Sequence, residues 1–134
     1  MTTAPQPLSS IHYPSRTLDR AERAMRSAPF RLKFFATMMH QSVALKELAG
    51  HTGTRNQYTR RSLSELMAEA ELLWLIQVGL LRREVDGQGL TDSFRITPLG
   101  RLLVQKWQDN PAQFTRGFGD RFYNFLNRWF RLPI

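Results

Sequence analysis

Residues 79–104 read GLLRREVDGQGLTDSFRITPLGRLLV, and the order of signals in them decides the fold. Gly79 ends a helix. Leu80 to Val85 follow as a strand. Asp86-Gly87 supplies residues that accept positive φ, so a tight turn is expected between Asp86 and Gly89. Beyond it Phe94 and Ile96 alternate with Arg95 and Thr97, a period of two that marks a half-buried strand. Thr97-Pro98 then caps and opens a new helix. Leu99, Leu102, Leu103 and Trp107 line its inner face, and Asp109-Asn110-Pro111 stops it. The spacing predicts a β-hairpin, with strands near Leu81–Val85 and Ser93–Thr97, set between two helices.

Upstream, Ser62-Leu63-Ser64-Glu65 matches the capping box, in which serine and glutamate satisfy each other's backbone donors. The helix predicted from Leu63 to Val78 carries Leu63, Leu66, Met67, Ala70, Leu73, Trp74 and Leu75. Residues 50–61, GHTGTRNQYTRR, are polar and read as a loop. Ser42 caps a short helix, VALKELA, that Gly50 ends. Pro29 opens a helix bearing Phe30, Phe34, Phe35, Met38 and Met39. Leu18, Ala21, Met25 and Ala28 form the stripe of a first helix, with Arg20, Arg23 and Arg26 pointing elsewhere. Residues 1–14, rich in Pro, Ser and Thr, read as a flexible tail.

The chain has 134 residues, a net charge of +8 and no cysteine. That length suits one compact domain with short tails. The missing cysteines exclude disulfides, thiol catalysis and cysteine-ligated zinc. No apolar h-region opens the chain, so no secretory signal is expected and a cytoplasmic location is. Charge is segregated. Residues 1–61 hold 10 basic and 3 acidic groups, residues 62–92 hold 2 and 6, and residues 93–134 hold 7 and 2.

The stretch from GLLRRE through DGQG to FRITPLG and RLL resembles the wing of a winged-helix domain, over roughly residues 30–108. The resemblance implies a mainly α domain with a small β-hairpin, spanning residues 15–110. It also implies a two-helix unit before the wing, whose second helix enters the DNA major groove. VALKELAGHTG looks like the first helix of such a unit. LLRREVDGQGLTDSFRITPLG and RWFRLPI together look like a small uncharacterised cyanobacterial protein family, which brings no established activity.

The helix from Leu63 to Val78 has Glu65, Glu69 and Glu71 and no basic residue, whereas a groove-reading helix meets a dense polyanion. If duplex DNA is bound, the better readers are Arg55, Asn56, Gln57, Tyr58, Arg60 and Arg61, with Arg82 and Arg95 on the wing. Arginine pairs with guanine edges, and Asn or Gln with adenine. A solvated polar loop is the alternative for residues 50–61.

His12, His40 and His51 are scattered, so no metal site is expected. No P-loop, GxGxxG or GxSxG occurs, and no nucleophile stands near Glu65 and Glu69. Neither an enzyme nor a cofactor is expected. Residues 111–134 form a second unit, read as an aromatic, basic amphipathic helix. Phe114, Phe118, Phe122, Leu126 and Phe130 recur every fourth residue, with Arg116, Arg121, Arg128 and Arg131 interleaved. Phe118, Phe122, Phe125, Trp129 and Phe130 are expected to pack on the domain, join a homodimer or protein partner, or lie in an anionic membrane surface.

The sequence therefore leads to a non-catalytic, winged-helix-type regulatory protein that binds DNA, with transcription regulation its expected role and a dimer its expected state. The alternative is a protein-interaction adaptor whose winged-helix core does not bind DNA, docked peripherally at a membrane by its last helix.

Overall fold

The computed structural model describes residues 13–115. It is mainly helical, with a three-stranded antiparallel sheet whose order is β1-β3-β2. Helix α1 (Ser15–Ser27) buries Ala21, Ala24 and Met25. It stops because Ala28 precedes Pro29, and a residue before proline is pushed out of the α region into extended backbone.

Pro29 does not open the next helix as expected. Phe30 instead makes an isolated antiparallel bridge to Thr59. Arg60 N–H donates to the Pro29 carbonyl, and Arg31 N–H to that of Tyr58. Helix α2 (Leu32–Thr37) follows. Phe30, Phe34, Phe35 and Met38 are all fully buried. The Phe30 and Phe34 rings lie 4.7 Å apart and those of Phe34 and Phe35 5.3 Å apart, which builds an aromatic centre for the core.

The expected helix from Ser42 is broken in two. Val43–Ala44 forms strand β1, because β3 offers an open edge, with Val43 opposite Phe94 and Ala44 opposite Ser93. Helix α3 (Leu45–Leu48) then turns, its entry held by Ala44 N–H donating to the Glu47 carboxylate at 2.7 Å. Residues read as loop form helix α4 (Gly50–Arg55). Its only buried residue is Gly53, so there was no apolar stripe to reveal it. Glycine is required there. A Cβ would fall on the Leu48 carbonyl and 2.8 Å from Thr59 Oγ1.

Helix α5 (Glu65–Gln77) starts two residues later than the capping box implied. Ser64, not Ser62, is the cap, its hydroxyl accepting from Met67 N–H at 3.1 Å. Leu63 is drawn away into a bridge with Gly50, whose N–H donates to the Leu63 carbonyl. Gly79, at φ 90°, ends the turn after α5, as expected.

The hairpin is present. Strand β2 (Leu81–Asp86) pairs with β3 (Gly89–Ile96), which starts earlier than expected. Arg83 faces Phe94 and Val85 faces Leu90, so β3 advances four residues while β2 advances two. Parity survives this bulge. Leu81, Arg83 and Val85 share one face with Ile96, Phe94, Asp92 and Leu90. Thr97 caps helix α6 (Pro98–Gln108) as expected, accepting from Gly100 N–H at 3.1 Å. Leu99, Leu103 and Trp107 are buried there, while Leu102 is only half-buried. Helix α7 (Pro111–Thr115) returns Phe114 into the core against Phe35 and Trp107. Phe114, assigned from sequence to the appended segment, thus belongs to the domain.

Candidate functional site

Helix α5 buries Ala68, Leu72 and Leu75, spaced i, i+4, i+7, against the core. Of the apolar set read from the sequence, Leu63 and Leu75 are buried and the rest are not. Leu66 is 76% exposed and Leu73 47%, and Met67 and Ala70 also face water. Trp74 is half-buried, with the Arg20 guanidinium over its ring at 5.6 Å. The helix has more apolar residues than one face can hold, so part of them is left outside. A helix that is apolar on most sides is normally covered on most sides.

The same surface is acidic. Glu65 is exposed, and Glu69 lies 4.0 Å from Arg83. Arg83 also donates to the Asp92 carboxylate at 3.1 Å and to the Thr91 carbonyl at 3.2 Å, with its guanidinium over Phe94 at 5.0 Å. It therefore joins α5 to the inner face of the hairpin. Farther along that face Val85 and Leu90, paired across the strands, are 66% and 73% exposed. Leu66 and Leu73 share the helix row of Glu69, so exposed aliphatic groups of α5 and of the hairpin tip flank the Glu69–Arg83–Asp92 group.

The residues expected to read DNA differ in exposure and in partners. Arg55, Gln57 and Arg61 are exposed. Asn56 closes α4, its amide donating to the Glu47 carbonyl at 3.1 Å. Gln57 takes φ 63°, a left-handed turn that aims the chain back to the core. The Tyr58 ring, expected at the surface, is buried beside Phe34 at 5.9 Å. Arg60 is half-buried with its guanidinium 5.9 Å from the Phe114 ring. The Phe30–Thr59 bridge causes this, because it pulls the segment inward.

On the hairpin's outer face Arg82 donates to Glu84 at 3.0 Å, and Arg95 lies 3.8 Å from the same carboxylate. Residues 81–96 hold three arginines and three carboxylates, so the hairpin has no net charge. Arg26, expected to point away, lies over Trp107 at 4.7 Å and donates to the Gln113 carbonyl. Phe118, Phe122, Phe125, Trp129 and Phe130 lie outside the described residues.

A groove of 310 Å³ runs between α1 and α6, lined by Leu18, Glu22, Leu103 and Lys106. Across it Glu22 and Lys106 form an ion pair at 2.7 Å. Among the described residues no three His, Asp or Glu side chains gather as a metal-binding group. No helix among them is long and apolar enough to cross a membrane.

Sequence reasoning missed Arg83 as the joint between helix and hairpin. Its signal was there, since Arg83 shares strand parity with Leu81. Exposure of Leu66 and Leu73 had a signal too, in the excess of apolar residues along α5.

The fold defines a small, mainly helical domain whose exposed features are a helix with apolar side chains on more than one side and a hairpin without net charge. The chain matches the Npun_F0494-like family over residues 11–128 and belongs to it. No curated protein and no solved structure matches it significantly.

Proposed function

We propose that this protein is a non-catalytic protein-interaction module of winged-helix type, docking its partner on the outer face of α5 and the inner face of the hairpin. The winged-helix part is supported by the element order and by the sheet order β1-β3-β2. Helix α5 then stands where a groove-reading helix would. The observation that carries the reading is what α5 offers there: Leu66, Met67 and Leu73 in water, three glutamates and no basic residue. Such a face repels a phosphate backbone. It suits a protein segment with large apolar side chains and arginine or lysine.

A second reading, duplex DNA binding, has the exposed Arg55, Gln57, Arg61 and Arg82 in its favour. A salt series of gel shifts with random duplex DNA separates the two. The expected result is no shift at low salt, together with capture of a synthetic basic, aromatic amphipathic peptide. Leu66→Ser combined with Leu73→Ser should weaken that capture. A duplex complex that dissolves steeply with salt overturns the proposal. In that case Arg55→Ala with Arg61→Ala should flatten the salt dependence, since fewer counterions are released.

A further inference from the structure

We infer that residues 116–134 of the same chain cover the exposed face of α5 and the hairpin when no partner is bound. The inference rests on the reading of that face as a docking surface and names what occupies it first. Three observations carry it.

The first is chemistry. The face presents Leu66, Met67, Leu73, Val85 and Leu90 to water, beside Glu65 and Glu69. Residues 116–134 hold Phe118, Phe122, Phe125, Trp129 and Phe130 among four arginines and one aspartate, against three glutamates and no basic residue in α5. Apolar surface and opposite charge therefore meet on both sides.

The second is reach. Phe114 anchors α7 beside Trp107, and the Gln113 carbonyl accepts from Arg26 near the end of α1. Six residues back along α1, Arg20 stacks on Trp74 of α5. That step is about 9 Å at the helical rise, α5 from Trp74 to Leu66 adds about 12 Å, and the two crossings between packed elements add about 8–10 Å each. Residues 116–134, nineteen residues, reach about 60 Å when extended, which covers that path.

The third is arrangement. Leu66 and Leu73 lie on the helix row of Glu69, and Glu69 meets Arg83, whose strand face carries the exposed Val85 opposite Leu90. A segment of this chain is always present at high effective concentration, so it takes such a surface before a free partner does.

The test uses the full chain with the photoreactive residue benzoylphenylalanine in place of Leu66 or Leu73, both exposed enough for the fold to accept the change. Irradiation should give a crosslink to peptides within residues 116–134. The crosslink should be intramolecular, with a yield that does not depend on protein concentration. Arg121→Glu with Arg128→Glu should cut that yield roughly fivefold, as two opposite-charge contacts become repulsive. A crosslink to these residues that joins two chains overturns the inference in favour of a second copy. Crosslinks only to other parts of the chain, or none, overturn it outright, as does transfer of the crosslink to lipid on adding phosphatidylserine vesicles with the intramolecular product absent beforehand. A protein that binds duplex DNA yet still crosslinks to its own residues 116–134 sinks the proposed function and leaves this inference standing.

Discussion

At the scale of single residues, close approach decides more than charge. Gly53 lets α4 cross the end of α3, and the obstacle to any side chain there is the Leu48 backbone, which cannot swing away. Gly53→Ala should therefore cost about 3 kcal/mol, read as a lowered midpoint in urea unfolding. An unchanged midpoint would mean that α3 and α4 do not meet as described. The two serines before α5 make a sharper comparison. Ser64→Ala removes the cap that Met67 N–H uses and should cost about 1 kcal/mol. Ser62→Ala, at an exposed side chain paired with His51, should stay within about 0.5 kcal/mol. Equal effects would restore the earlier helix start. The capping motif was legible as residue types, but its frame was not. Which serine caps depends on the Gly50–Leu63 bridge, a contact between residues thirteen apart.

At the scale of elements, α5 and the hairpin are joined through Arg83. Its ion pair with Glu69, at 4.0 Å, is the weaker part of that joint. The Glu69–Arg83 coupling in a double-mutant cycle should come out below about 1 kcal/mol. Arg83→Ala alone should cost more, about 1–2 kcal/mol, because the Asp92 and Thr91 bonds and the contact over Phe94 go with it. A coupling as large as the single-variant loss would make the ion pair the main link instead. The hairpin itself was readable, because Asp86-Gly87 and the alternation of Phe94 and Ile96 are local signals. Strand β1 was not. Val43 and Ala44 follow Ser42, which reads as a helix cap, and only pairing with the free edge of β3 makes them a strand.

At the scale of the whole molecule, charge and apolar surface are sorted together. The basic groups gather in residues 1–61 and 93–134, while α5 and β2 lie in the acidic stretch from 62 to 92. The acidic stretch is also where aliphatic side chains reach water. The core closes at Phe114, which meets Phe35 and Trp107 in edge-on contacts with no exposure at all. Phe114→Ala should cost about 3–5 kcal/mol and lower the Tm of the full chain markedly. A variant that melts like the parent would return α7 to the appended segment, where the sequence had put it.

Helices α1, α5 and α6, the hairpin and the turn at Asp86–Gly89 follow from the sequence alone, because period, caps and glycines act over a few neighbouring residues. So does the segregation of charge. The tertiary structure decided everything that depends on choosing between faces. Leu66 and Leu72 are equally apolar, yet only one is buried, because a helix with leucines on several sides does not say which side the core will take. Tyr58 reads as a surface residue in a polar run, yet it is buried, because Phe30 pairs with Thr59 across nearly thirty residues of chain. Long-range contacts of this kind leave no periodic trace in the segments that make them.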